Sequence, residues 1–293
     1  MNNLPNFLIV GAAKSGTTTL YDCLRQHPEI YLPEKKECKY FSGIIENTGP
    51  GDEYRNKKRT RTWEEYIKYF NEVKNEAAIG EATPDYLYYY KPTITSIHDK
   101  LGRQTKIIII LRHPIERAYS AYLHNRRDMI EDLDFTNALK AEEDRIEKNY
   151  ALMWRYKDAG LYYNQVRAFK EAFDEVLILT QEELKEHFQE TMEKIFLFLN
   201  VDAHFHPQVK KLNATGEPSA LKKYLSKSPM LKEVKKFMPS FIKKMIKSNL
   251  DKRSLEKKPM SDSDRQHLAN YFENDIFQLS EYLGSDIISW KSK

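Results

Sequence analysis

Cysteine is scarce. Cys23 and Cys38 are the only two in 293 residues, and they match no zinc spacing and cannot build a disulfide framework. A reducing compartment is expected, with a single bridge between them left open. Long apolar runs are missing too: no stretch approaches the roughly 20 residues of a membrane span. The opening MNNLPNFLIVGAAKSG has neither the basic start nor the apolar length of a signal peptide, so the expected location is cytoplasmic. Nor does one sign of charge dominate. The 47 Lys+Arg against 43 Asp+Glu leave +4, too little to imply a nucleic-acid partner, though local basic surfaces remain. The eight histidines show no metal-ligand arrangement and no Ser-His-Asp order is evident, so no metal is expected. Repeats and low-complexity tracts are absent. What is present, 41% hydrophobic and 31% charged residues, is the balance of an ordered globular chain, and the length suits one large α/β unit.

Phe7 to Val10 is a short apolar run stopped by Gly11, and a helix-compatible stretch follows from Thr17 to Gln26, ended by His27-Pro28. Lys106 to Leu111 (KIIIIL) repeats the pattern. It runs into Arg112-His113-Pro114, and Pro114 is suited to open a helix reaching about Met129. Ala78 to Gly80 and Val176 to Thr180 supply two more strands, each separated by helical pattern. Such alternation predicts an α/β fold with a central parallel sheet flanked by helices. One domain is expected over 1–293, with a core of about 5–205 and a helical, basic extension of about 206–293 packed on it. Within that extension, Met230 to Leu250 alternates apolar residues with lysines. Asn47 to Arg61 reads as a mobile surface connection.

The loop Gly11-Ala12-Ala13-Lys14-Ser15-Gly16-Thr17-Thr18 lies between a buried strand and a helix start, where several backbone N–H groups converge on one spot and favour a phosphate. Compared with G-x-x-x-x-G-K-[ST], the glycines are correctly spaced. Thr17, however, stands where the lysine belongs, and the lysine is inside the loop at position 14. That argues against an ordinary ATPase or kinase. G-x-G-x-x-G is absent. At the second junction, Arg112 ends a buried strand and Ser120 lies two turns into the following helix. A guanidinium and a hydroxyl at the carboxyl edge of a parallel sheet suit a second phosphate. The bland alternatives are a capped turn with an incidental lysine, and an Arg112 paired with Glu116 while Ser120 merely packs.

Lys14-Ser15-Gly16-Thr17-Thr18, with Leu111-Arg112-His113-Pro114 through Ser120, resembles the sulfotransferases that use 3′-phosphoadenosine 5′-phosphosulfate (PAPS), in particular the carbohydrate and heparan-sulfate type and its bacterial relatives. Lys36-Glu37-Cys38-Lys39-Tyr40-Phe41, Gly80-Glu81-Ala82-Thr83-Pro84-Asp85-Tyr86 and the closing Tyr271-Phe272 to Trp290 segment extend the likeness over nearly the whole chain. The resemblance implies a P-loop-like nucleotide-binding architecture, PAPS as co-substrate, 3′-phosphoadenosine 5′-phosphate (PAP) as product, and a carbohydrate hydroxyl or amine as acceptor. It implies Lys14 at the 5′-phosphosulfate, with Ser15, Gly16, Thr17 and Thr18 around it, and Arg112 and Ser120 at the 3′-phosphate. Glu37 would be the general base. Lys39, Asp85 and Tyr86 would lie on the acceptor side.

The chain also departs from the pattern. Heparan-type relatives carry a lysine where this chain has Ala82; either Lys39 stands in for it or the bacterial subgroup dispenses with it. Ser219 replaces the arginine of the bacterial N-x-x-G-x-P-R loop, with Lys222 or Lys223 as compensation. The lysine excess after Pro207 suits an anionic acceptor or peripheral contact with a membrane face, or else is a snorkelling helix face. Trp63, Tyr66, Tyr88, Tyr89, Tyr90 and Trp154 are candidates to stack on sugar rings, or core residues. Two rival functions stay open: a non-catalytic nucleotide- or glycan-binding protein of the same fold, and an ATP-dependent kinase.

Overall fold

The computed structural model describes residues 3–43, 46–209, 259–284 and 290, together with the backbone of 217–218 and 255–256. In chain order the elements are β1 (Phe7–Gly11), α1 (Thr17–Leu24), β2 (Ile30–Tyr31), α2 (Asp52–Lys57), α3 (Trp63–Ile67), β3 (Ala78–Ala82), α4 (Asp85–Tyr88), α5 (Tyr90–Lys100), β4 (Lys106–Leu111) and α6 (Pro114–Arg127). There follow α7 (Phe135–Lys140), α8 (Glu142–Glu147), α9 (Tyr163–Ala172), β5 (Val176–Thr180), α10 (Gln181–Glu186), α11 (Phe188–Leu199), the short pair β6 (Glu217–Pro218) and β7 (Leu255–Glu256), and α12 (Asp262–Leu283).

Five parallel strands form one sheet in the order β2-β3-β1-β4-β5. The isoleucine run of β4 shows why. Its residues alternate between the two faces, as the pleat requires. Ile107, Ile109 and Leu111 join Leu8 and Val10 beneath α5, α9 and α12, through Ile97, Val166, Phe169 and Leu279. Ile108 and Ile110 join Phe7 and Ile9 beneath α1 and α11, through Leu20, Leu24, Ile195 and Phe196. With helices on both faces, near-continuous apolar strands are what a parallel sheet demands. The four predicted strands are present and parallel. β2, only two residues long, has no readable period and escaped the sequence pattern.

The order reverses at β1. From β1 the chain goes to the edge strand β2, returns inward to β3 beside β1, then crosses to β4 and β5 on the other side. A crevice at the carboxyl ends of β1 and β4 is the place where such sheets bind ligands.

Asn47–Arg61 is not the loose connection expected of it. It contains α2, and the fully buried Asp52 carboxylate accepts the N–H groups of Gly49 and Ala151 and pairs with Arg55 at 2.6 Å. A polar stretch is pinned because a buried carboxylate must find donors. α12 packs on α6 and α9: Leu268 and Phe272 join Ala118 and Ala121, and the Asp275 carboxylate accepts the Tyr162 and Tyr163 N–H groups at the start of α9. Met230–Leu250 lies outside the described residues. Among those described, no helix is long and apolar enough to cross a membrane.

Candidate active site at the carboxyl edge of β1 and β4

β1 runs into a tight turn in which Lys14 (φ 71°) and Gly16 (φ 99°) are left-handed. Glycine holds that conformation without strain, and α1 starts immediately after it. The first turn of α1 carries no acidic residue and its N-cap makes no side-chain hydrogen bond, so its N–H groups are open to an external anion. Ser15 is fully buried and Thr17 nearly so.

The Lys14 ammonium lies 3.2 Å from His124 Nδ1. Burial, then the charges of Arg127 and Arg112, push its pKa down to about 8. Such a site favours an anion strongly, because the ligand supplies the countercharge that the protein withholds.

Arg112 reaches the same place. Its Nη1 donates to the Lys14 carbonyl at 3.3 Å, and Tyr162, whose phenol lies between Ser15 and Arg112, donates to the Arg112 carbonyl at 3.1 Å. Trp290 packs against His113 and Tyr162 behind it. The Glu116 pairing weighed as an alternative exists, at a loose 3.8 Å, but Glu116 is held closer by Arg265 of α12, at 2.8 Å.

Glu116, Ser120, His124 and Arg127 share one face of α6 by their spacing. Glu116 faces Arg112 and His124 faces Lys14, and the largely buried Ser120 lies between Glu116 and His124 on that face. His124 Nδ1 also faces Arg127 Nη2 at 2.9 Å, while Nε2 faces Asp128 at 3.4 Å. Burial, then Lys14 and Arg127, hold its pKa down to about 3. The ring is therefore neutral, with its proton on Nε2. Neither His124 nor Arg127 was singled out from sequence as part of this site; the i, i+4 step from Ser120 was the available signal.

Opposite this cluster stands the segment Lys36 to Lys39. Glu37 (φ 65°) and Lys39 (φ 59°) both adopt the left-handed conformation, which costs non-glycine residues of order 1 kcal/mol or more each. The strained turn is stapled to the end of β3: Glu37 N–H donates to the Ala82 carbonyl at 3.1 Å and Lys39 N–H to Thr83 Oγ1 at 3.3 Å. Arg59 adds a hydrogen bond to the Lys39 carbonyl. Glu37 stays the most exposed member, at 38%. Its Oε1 lies 3.3 Å from Lys36 and its Oε2 3.6 Å from Lys39. Lys36 in turn donates to Thr18 Oγ1 at 3.1 Å, and Lys39 pairs with Asp85 at 2.9 Å. Burial works against both charges of the latter pair, yet each stabilises the other: Lys39 is raised above the usual lysine value and Asp85 lowered below the usual carboxylate one.

Tyr86 departs from the acceptor-side expectation. It is fully buried, its hydroxyl accepts the Phe41 N–H, and it supports the Glu37 segment from behind. Tyr66 and Trp154 are likewise core residues, and Tyr88 donates to Asp158. Packing claims these rings before any sugar can. Both cysteines are free and buried. A cavity of about 530 Å³ opens on the other face of α6, lined by Tyr119, Phe135 and Asp264, and none of the residues above borders it. Among the described residues no group of three or more His, Cys, Asp or Glu could hold a metal ion.

The arrangement is thus an anion cradle fused to a carboxylate with ammonium groups on both of its oxygens. Comparisons with known proteins agree on a family. The sulfotransferase domain model matches residues 4–260. A sulfotransferase from Alicyclobacillus acidocaldarius, solved by crystallography, is 31% identical and overlays 96% of each chain with a TM-score of 0.77. Carbohydrate sulfotransferase 15 of Mus musculus is 28% identical over 255 residues, covering 68% of this chain and 44% of that protein. The bifunctional heparan sulfate N-deacetylase/N-sulfotransferase 3 of Homo sapiens is 26% identical over 308 residues, covering 99% of this chain and 31% of that protein. The membrane-associated sulfotransferase kil1 of Dictyostelium discoideum is 32% identical over 162 residues, 53% of this chain and 32% of its own. The chain spans less than half the length of these curated relatives. With a domain match running over most of its length and a solved sulfotransferase overlaying nearly all of it, the chain belongs to the sulfotransferase domain family.

Proposed function

We propose that the protein moves a sulfuryl group from PAPS to a hydroxyl or amine of a carbohydrate by in-line displacement. The observation that carries this reading is the contact between Arg112 and the Lys14 carbonyl, which makes the two strand-helix turns parts of one site, as a nucleotide phosphorylated at both its 5′ and 3′ ends requires. Lys14 and the amides from Ser15 to Thr18 would hold the 5′ end, and Arg112 and Ser120 the 3′-phosphate. The open N terminus of α1 fits such a ligand, and so does Lys14, on which burial and two arginines outweigh the pull of Asp128 and Glu37. When bound, PAPS supplies the sulfuryl group and PAP is the leaving group.

The chain's own residues do the rest. Glu37 takes the acceptor's proton as its oxygen or nitrogen bonds to sulfur, while the bond from sulfur to the phosphate oxygen breaks and its electron pair leaves with PAP. Lys14 neutralises charge on that leaving oxygen. The carboxylate is exposed enough to meet an acceptor and fixed by its strained, stapled turn. Positioning and electrostatics of this kind dominate group transfer between oxygens. The carbohydrate acceptor rests on the names of the relatives, carbohydrate sulfotransferase 15 and the heparan sulfate enzyme. Its anionic character, like a peripheral membrane contact, rests on the lysines after Pro207, which lie largely outside the described residues.

Calorimetric titration with PAP set against ATP tests the donor. Micromolar or tighter PAP binding with at least tenfold weaker ATP is expected, and the reverse order would favour a kinase. Glu37→Gln tests the chemistry: PAP affinity within threefold of wild type and turnover lowered by about 10² to 10⁴ are expected. A wild-type protein that binds PAP yet shows no labelled-sulfate transfer to any glycan would be a binding module.

A further inference from the structure

Ala82 deprives the end of β3 of a side-chain cation beside Glu37, so the charge that accompanies the sulfuryl group must come from elsewhere. Two lysines compete for that place. Lys39 is committed: one ammonium faces two carboxylates, Asp85 at 2.9 Å and Glu37 at 3.6 Å, and little of its field is left for a ligand. Lys36 is placed differently. Its Nζ lies 3.1 Å from Thr18 Oγ1 on the phosphate-loop helix and 3.3 Å from Glu37 Oε1, so it touches the donor cradle and the base at once. Its side chain is only 17% exposed, which strengthens its field.

We infer that Lys36 is a further catalytic residue, which stabilises the negative charge on the sulfuryl oxygens as the group passes from the phosphate loop to the acceptor held at Glu37. The inference rests on the sulfotransferase reading above. Its physical basis is a change of partner during the reaction. In the resting site Glu37 supplies the carboxylate that holds Lys36 in place. When Glu37 takes the acceptor's proton it becomes neutral, and the ammonium loses its countercharge while charge is building on the transferring and leaving oxygens. Lys36 then interacts more strongly with the transition state than with the bound substrates, which is the condition for raising turnover rather than affinity. The lysine missing at position 82 is replaced from the Glu37 segment itself, by the residue before the base and not by Lys39.

The test uses full-length protein, PAP affinity by calorimetry, and release of labelled sulfate from PAPS with water, or a glycan once one is found, as acceptor. Lys36→Met is expected to lower kcat by about 10²- to 10³-fold, the usual effect of removing one transition-state donor. PAP lacks the sulfuryl group, so its affinity should stay within threefold of wild type. Lys36→Arg keeps the charge and should recover at least tenfold over Lys36→Met. An unchanged kcat in Lys36→Met overturns the inference, and so does a fall in turnover matched by an equal fall in PAP affinity, which marks a residue that only shapes the loop. Equal losses in Lys36→Arg and Lys36→Met overturn it as well. If the wild type neither binds PAP nor releases sulfate, the donor assignment falls and this inference with it; wild-type activity with an indifferent Lys36→Met removes the inference alone.

Discussion

Lys14 ties donor affinity, stability and pH together, and the sign of each effect follows from its lowered pKa of about 8. On the donor assignment proposed above, PAP binding needs the ammonium form. From pH 7 to 8 the protonated fraction falls from about nine tenths to about half, so affinity should drop by a little under twofold. Above pH 8 the affinity should fall about tenfold per pH unit, reaching roughly thirtyfold weaker binding at pH 9.5, whereas a lysine at the usual 10.5 would lose only about a tenth there. Stability of the ligand-free protein moves the other way. Between about pH 8 and 10.5 the unfolded chain holds the proton and the folded one does not, so unfolding free energy rises with pH through that window. At about 1.4 kcal/mol per pKa unit, the charged lysine costs the folded state about 3 kcal/mol at pH 7. Lys14→Met should therefore be more stable than wild type at pH 7 by up to about 3 kcal/mol in urea denaturation, while binding PAP at least tenfold more weakly. Lys14→Arg should keep binding and lose the alkaline decline. Wild-type affinity that is flat to pH 10, or a Lys14→Met variant that is less stable at pH 7, refutes the reasoning.

Two further substitutions probe parts with different duties. Arg112→Lys keeps the charge but gives up the fork that reaches the Lys14 carbonyl, and should weaken PAP binding by about 10- to 100-fold in calorimetry, with the far-ultraviolet circular dichroism unchanged. Arg145→Met strands the buried Glu131 carboxylate, which holds Arg145 by two hydrogen bonds of 2.6 and 3.0 Å, and should destabilise the protein by about 3 to 5 kcal/mol in chemical denaturation. A loss under 1 kcal/mol would show that water reaches the pair.

Local chemistry wrote much of the fold legibly. The run KIIIIL suits a strand covered on both faces, as in a parallel sheet; Gly11 leaves room for Leu87, and Gly16 holds a left-handed turn that other residues strain to make. Pro114 opens α6 at its first position, as its fixed φ favours. The site was half legible. Lys14 and Arg112 lie on strand-helix junctions, where type and position coincide, and Ser120 follows two turns into α6. Lys36 did not stand out because its partner Thr18 is brought near by the crossing of the sheet edge, and nothing in a run of lysines marks the one that turns inward. His124 was one more histidine until α6 set it a turn beyond Ser120, against a lysine 110 positions earlier. Asn47–Arg61 misled because polar residues in sequence look alike whether solvent or a buried network satisfies them. Asp52 finds its donor at Ala151, 99 residues away.

The Arg265–Glu116 ion pair gives α12 a hand in tuning a distant cation. Left to itself, Glu116 is one helical turn from the Arg112 guanidinium and would quench it. A helix 149 positions downstream shares that carboxylate, Arg265 holding Oε1 at 2.8 Å while Arg112 faces Oε2 at 3.8 Å, so part of its charge is already answered before an anion meets Arg112. If Arg112 holds the 3′-phosphate as proposed, substitution at position 265 should retune that grip without touching Arg112 itself.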